Sequence, residues 1–409
     1  MLVVLAVGLS SPPALAYIDP GTGSALVYVI TALVLSIYFA LRGFYYKVLE
    51  LIFGFRVKKQ KCNVALHSED PRYEVVFLPL IRALTERRID FTYLTMYERT
   101  GSFEPLPNGT VHHAIPHGLV GYSFLNHLTA KVVVTTTPQL DVMTFRRSEK
   151  VQHYCHIPHA LGESRYVRPY AYDFFDSVFC CGEILRNNIR RMEQIRGLPA
   201  KQLHATGIPH YDALLAAAQH TRTTTNARPL VLLAPSWGPL SIFQRFGTDL
   251  VKRLATHYEV LVRPHPQMKI SQPELYAEVL QLEGVEIDTQ QSPADAMRRA
   301  DILVSDISGI MHEFAFIHEK PVIIIDHKQG VEGLEGFLLG GDSELKERCR
   351  DFIIPVPPEE TDSIVSRVDS ALKGHSKTRL QAVRGDLIYN FGRASPAAAT
   401  QIEEILRCL

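Results

Sequence analysis

Three short stretches gather residue types that suit chemistry on phosphate. In ADILVSDISGIMHEFAFIHEKPVIII, residues 300–325, an apolar run ends in Ser305 and Asp306. It turns through Ile307, Ser308 and Gly309 and passes into a helix-like run. Free backbone N–H groups at a helix start carry partial positive charge and bind anions. The hydroxyls of Ser305 and Ser308 add donors, and Gly309 lets a ligand approach the backbone. The turn reads as a phosphate cradle or, more plainly, as a helix cap packed on a sheet. In YEVLVRPHP, residues 258–266, Arg263 and His265 are two apart in an extended stretch, so their side chains share a face. Pro264 and Pro266 hold that turn. Arginine grips phosphate bidentately, and histidine can donate a hydrogen bond or a proton to a leaving phosphate. The third stretch is Pro235-Ser236-Trp237, where Ser236 adds a hydroxyl at another strand end.

These turns need a scaffold that brings strand ends to one edge. PLVLLAPSW at 229–237, YEVLVRPHP, DILVSD and PVIIID read as strands, with helices at TDLVKRLATH, SPADAMRRA and SGIMHEFAFIHE between them. The helix at 292–300 has Ser292 as N-cap and Pro293 in its first turn. Alternating strands and helices predict a doubly wound parallel sheet, which binds ligands at strand carboxyl ends. The first half repeats the pattern less cleanly, with strands at 63–68, 91–95, 131–137 and 177–182 and a helix over 73–88. The end of 212–228 reads as the linker. The expected organisation is a first α/β domain over 60–225 and a second over 226–409.

The chain's 409 residues exceed one ordinary core, and 43 basic residues balance 43 acidic ones. Net charge therefore gives no sign of nucleic-acid binding. None of the cysteines makes a CxxC pair, which implies reduced thiols and no structural zinc. Residues 1–16 resemble a signal peptide ending in Ala14-Leu15-Ala16, although a basic start is missing. ALVYVITALVLSIYFAL at 25–41 is uncharged and predicts one transmembrane helix within 17–59. Arg42, Lys47, Arg56, Lys58, Lys59 and Lys61 follow it, which places the body in the cytoplasm of a single-pass cell-membrane protein. FYYKVLELIFGF at 44–55 reads as an interfacial helix.

The order PSW, VRPHP, ADILVSDISGIMHEFAFIHEKPVI resembles the CDP-glycerol glycerophosphotransferase family of teichoic-acid primases and polymerases. VQHYCHIPHALGE at 151–163, TGIPHYDALL at 206–215 and FGRASPAAATQIEEIL near the end resemble other family segments, so the likeness covers roughly 60–405. It implies a GT-B arrangement, with two Rossmann-like domains facing across a cleft and the nucleotide held by the second. It implies transfer of a polyol phosphate from a CDP-linked donor to a lipid-linked glycan, with no metal or other cofactor. The family histidines carry over to His156 and His265. His156 is the expected base, with His159 in reserve, and His265 the expected donor to the nucleotide. Glu313 falls in the family's acidic position after the phosphate turn. Departures include Gly309 for Ser, Ile307 for Tyr, Cys155 for Trp, Gly238 for Arg and His210 for Arg, with Arg165 as a substitute basic residue. They leave the transferred polyol open. Two alternatives remain: another GT-B activity on a nucleotide sugar, such as a glycosyltransferase or UDP-GlcNAc 2-epimerase-like enzyme, or an inactive GT-B binding module.

Overall fold

The computed structural model describes residue 33 and residues 61–100, 103–142, 145–219, 228–290, 292–306, 309–326 and 330–409. The expected signal peptide, the interfacial helix and, apart from Leu33, the expected span lie outside the described residues, as does Ser308. Among the described residues no helix is long and apolar enough to cross a membrane. Lys59–Leu409 forms one compact unit that holds both sheets.

The first sheet contains β1 (Lys61–Ser68), β2 (Phe91–Thr95), β3 (Val111–Ala114), β4 (Thr129–Thr135), β5 (Val151–His156), β6 (Ser177–Cys180) and β7 (Gln202–Ala205). The second contains β8 (Leu230–Leu233), β9 (Glu259–Val262), β10 (Glu286–Ile287), β11 (Ile302–Ser305), β12 (Val322–Ile325) and β13 (Ile353–Val356). The orders are β3-β2-β1-β4-β5-β6-β7 and β10-β9-β8-β11-β12-β13, and all pairs are parallel. In each sheet the chain runs outward from its first strand and then returns to that strand's other side. This puts a topological switch point at β1/β4 and another at β8/β11, where such sheets bind ligands.

Alternation along each strand builds the core. Val231 and Leu233 of β8 face one hydrophobic cluster with Ile302 and Val304. Leu230 and Leu232 face another that also holds Val133, Tyr154, Val178 and Phe314. That second cluster runs through both sheets, so the apolar core is continuous between the domains. Helix Glu74–Glu86 packs on the opposite face of the first sheet.

The last helix, Ala394–Cys408, follows the second sheet in sequence yet buries Ala398, Ala399, Ile402 and Ile405 against the first. Asp212 accepts from its Ala394 and Ser395 N–H groups at 3.1 and 2.7 Å. The returning segment passes close over Gly207, where an added Cβ would lie 2.2 Å from the Tyr389 carbonyl oxygen, and φ there is +89°. Only glycine suits that position.

Candidate active site

Four of the expected site residues surround one cavity of about 430 Å³. His156 and His159 enter from the first domain, Asp306 and Gly309 from the second. Thr136, Tyr73 and Glu163 join the first wall, and His312, Asp326 and Lys346 the second. A neighbouring cavity of about 640 Å³ shares His312, Asp326 and Lys346 and adds Arg165.

His156 is the last residue of β5 and is 4% exposed. Its Nε2 lies 3.2 Å from the Thr136 carbonyl oxygen. A carbonyl only accepts, so Nε2 carries the hydrogen and Nδ1 keeps a lone pair. That Nδ1 is buried without a partner. The rings of Tyr172 and Phe175 stand edge-on at 4.9 and 5.4 Å. Burial, with a smaller push from His159, moves the His156 pKa down to about 3, while the Thr136 carbonyl opposes. The imidazole is therefore neutral near pH 7, with an unpaired lone pair on Nδ1. His159 packs its ring 5.0 Å from Tyr73. It is exposed, yet desolvation within the cleft, then the charges of Arg72 and His210, still lower its pKa.

His265 is half-buried beyond β9 and lines neither cavity. The Gln267 N–H donates to its Nδ1 at 3.1 Å, which leaves the hydrogen on Nε2. Burial lowers its pKa; Asp306 pulls it up, and Arg72 and Arg263 push it down. The resulting neutral tautomer can donate from Nε2. The ring of Trp237 lies 6.4 Å away.

Several expected phosphate ligands have other work. The Ser305 hydroxyl, fully buried, donates to the Ala234 carbonyl at 2.6 Å. It ties β11 to β8, and in this structure its hydrogen is directed at that carbonyl rather than into the cavity. Arg263 is 8% exposed and its Nη1 pairs with Asp288 at 2.5 Å. It fixes the end of β9, and its guanidinium is held inside the second domain. Asp306 accepts from the Ser236 N–H at 2.7 Å and from the Ile242 N–H at 3.0 Å. The carboxylate thus holds the loop 236–242, and Ser236 serves as that loop's anchor. Gly309 begins helix Ile310–His318 with no side-chain cap, and a Cβ there would meet only open space.

The remaining expected residues join the domains. His210 Nε2 lies 3.4 Å from Glu313 Oε1, linking helix Pro209–Gln219 to helix Ile310–His318. Glu313 is therefore turned to the first domain. Arg165 donates to the Gly340 carbonyl at 2.7 Å. Beside it Glu163 accepts from the Leu345 N–H at 3.2 Å and from the Ser343 hydroxyl, so a first-domain carboxylate caps the second-domain helix Glu344–Cys349.

Sequence reasoning passed over Thr136, Glu163, His312, Asp326 and Lys346, all of which line the cavity. Asp326 and Lys346 form an ion pair at 2.9 Å across the wall of the second domain. Arg72 was also missed. It is paired with Asp70 at 2.8 Å, yet its charge reaches His159 and His265 in opposite domains. The run PVIIID ends in Asp326, the one local signal that could have found it; nothing local marked the others. Among the described residues no cluster of three or more His, Cys, Asp or Glu is set to hold a metal ion. The cysteines Cys62, Cys155, Cys180, Cys181, Cys349 and Cys408 are free thiols.

Residues 171–329 match the family described as CDP-Glycerol:Poly(glycerophosphate) glycerophosphotransferase. A structure of the wall teichoic acid polymerase TagF is similar with a TM-score of 0.55 at 14% identity, over 84% of this chain and 89% of that one. A putative UDP-N-acetylglucosamine 2-epimerase from Listeria monocytogenes gives a TM-score of 0.57 at 13% identity, over 82% and 94%. UDP-GlcNAc 2-epimerase from Neisseria meningitidis bound to UDP-GlcNAc gives 0.53 at 12% identity, over 85% and 100%. These likenesses establish the shared two-domain α/β, GT-B-like fold. No curated protein matches the chain.

Proposed function

We propose that the chain, whose residues 171–329 match the CDP-glycerol:poly(glycerophosphate) glycerophosphotransferase family, transfers glycerol phosphate, or a related polyol phosphate, from a CDP-linked donor to a lipid-linked glycan during cell-envelope polymer synthesis. The observation that carries the reading is His156: a neutral imidazole on the wall of the interdomain cavity, its Nε2–H fixed on a carbonyl and its Nδ1 free.

In this reading the acceptor hydroxyl gives its proton to His156 Nδ1 as its oxygen attacks the phosphorus that carries the polyol. The bond from that phosphorus to the bridging oxygen breaks, and CMP leaves with the bridging oxygen. His265 donates from Nε2 to the leaving phosphate, stabilising charge that grows in the transition state. Arg72, whose charge bears on His159 and His265, adds positive potential from the first domain. The segment 25–41 tethers the body to a membrane and keeps it in the cytoplasm, where nucleotide-activated donors are made.

The test is incubation of the protein with CDP-glycerol, CDP-ribitol and a panel of UDP-sugars, with an acceptor present. CMP release from a CDP-polyol, abolished in His156→Asn, is the expected result. The fold's likeness to UDP-GlcNAc 2-epimerases supports one competing reading, a nucleotide-sugar enzyme; turnover of UDP-GlcNAc without use of any CDP-polyol would replace the present one.

A further inference from the structure

Thr136 directly follows β4 and is 2% exposed. Its two oxygens meet different fates. The carbonyl oxygen takes the Nε2–H of His156 at 3.2 Å. The hydroxyl, Oγ1, is buried with no partner. His156 Nδ1 is also buried with no partner, and both residues line the same 430 Å³ cavity. Register explains why they meet: Thr135 of β4 pairs with His156 of β5, so the residue after β4 lies beside the imidazole. Buried hydroxyls are nearly always satisfied, and leaving one unpaired costs stability. Two unpaired polar groups on residues that line one cavity form complementary halves of a site, one able to donate and one able to accept. Pro138, Pro158 and Leu185 also line this cavity, and the Tyr172 ring lies 4.9 Å from that of His156.

We propose that Thr136 Oγ1 and His156 Nδ1 together bind the diol end of the acceptor: Nδ1 accepts from the attacking hydroxyl, and the Thr136 hydroxyl pairs with the hydroxyl on the adjacent carbon. Thr136 is then a specificity-determining residue that selects a vicinal diol over a simple alcohol. The choice of a polyol phosphate as ligand rests on the transferase reading above, while the binding measurement does not need turnover.

The experiment compares glycerol 3-phosphate with 3-hydroxypropyl phosphate, which lacks the adjacent hydroxyl. Both are titrated calorimetrically into the wild-type chain and into Thr136→Val and Thr136→Ser. Thr136→Val keeps the branched shape and the carbonyl that orients His156. It should weaken glycerol 3-phosphate about tenfold, change 3-hydroxypropyl phosphate little, and leave Tm equal or higher, because an unsatisfied hydroxyl has gone. Thr136→Ser should keep the preference for the diol. Equal affinity of the wild type for the two compounds would overturn the proposal. So would a fall in Tm for Thr136→Val with Thr136→Ser unaffected, because the hydroxyl would then be satisfied within the fold. If Thr136→Val does not fold, loss of the diol preference in Thr136→Ser would likewise overturn it. A wild type that prefers the diol yet releases no CMP from CDP-glycerol would remove the transferase reading and support the diol site.

Discussion

At the scale of single residues, the two histidines differ in what fixes them, and so in how they should fail. His156 is oriented by a carbonyl, and if it acts on the acceptor as proposed, His156→Ala should lower kcat about 10²–10⁴-fold while donor affinity holds. His265 is oriented by the Gln267 N–H, and with the proposed donor role His265→Ala should lower kcat and weaken donor binding together. Trp237, the chain's one tryptophan, lies 6.4 Å from His265, and its fluorescence gives a direct donor titration for both variants. A His156 variant with wild-type kcat would move the base to His159. Protonation adds a second check. His67 and His156 both have pKa values pushed down to about 3 by burial. Unfolded histidine titrates near 6.5, so between about 6.5 and 3 the unfolded chain binds the extra protons. Stability from these groups is complete above 6.5 and declines as pH falls, by about 1.4 kcal/mol per pH unit for each proton. Denaturant midpoints at stepped pH should show this slope, and His67→Gln should flatten it. Ser305→Ala should cost about 1 kcal/mol of stability through the lost Ala234 bond and leave the donor Kd unchanged. A tenfold loss of donor affinity instead would return Ser305 to the phosphate.

At the scale of elements, carboxylates on one element organise backbone on another. Asp306, just past β11, holds the Ser236 and Ile242 N–H groups and so sets the loop that carries Trp237 beside His265. Glu163 caps helix Glu344–Cys349, whose first turn presents Lys346 to the cavity. Removing a buried acceptor leaves its donors unpaired, at about 1–3 kcal/mol. Asp306→Ala should therefore destabilise the chain by that amount and raise proteolysis within 236–242, read by mapping the cleavage sites. Unchanged cleavage there would show that the loop holds its shape without the carboxylate. Arg263→Ala strands Asp288 as a buried charge, a change typically worth about 3–5 kcal/mol, so any loss of activity in that variant must be read beside its Tm.

At the scale of the whole molecule, the two sheets are bound by paired charges as well as by the shared core. Arg196 lies between Asp173 at 2.8 Å and Glu335 at 2.6 Å, all three largely buried, with Tyr170 stacked on the guanidinium at 4.4 Å. Burial outweighs the arginine for Asp173 and raises its pKa. The returning C-terminal helix adds an Arg87–Glu403 pair at 3.1 Å. These links lie within the compact unit Lys59–Leu409, so deleting residues 1–58 should leave a folded protein that releases CMP with a soluble acceptor. Turnover of a lipid-linked acceptor should slow, because the tether no longer raises local concentration. A truncated protein with unchanged turnover on the lipid-linked acceptor would show that 1–58 does not serve as that tether.

Much of the scaffold was legible in the chain itself, because strands buried on both faces read as short apolar runs ending in turn residues. Phe91–Thr95 is a strand over the very residues read as one, and β8, β9, β11 and β12 lie within the four expected runs of the second half. Edge strands escaped: β3 is mostly exposed and carries two histidines, and β13 contains Pro355, so neither has a buried strand's pattern. β5 escaped although it is central, because His153, Cys155 and His156 break its apolar run while still being buried. The motifs also located His156, Asp306 and Gly309 at one cavity. Sequence alone determined which residue types stand at the strand ends. Tertiary structure decided which of them face the cleft. A serine, an arginine or an aspartate at such an end looks the same whether its hydrogen bonds go to a ligand or to a neighbouring strand. Only the partners brought in from distant segments, Ala234 for Ser305, Asp288 for Arg263 and the Thr136 carbonyl for His156, separate those outcomes.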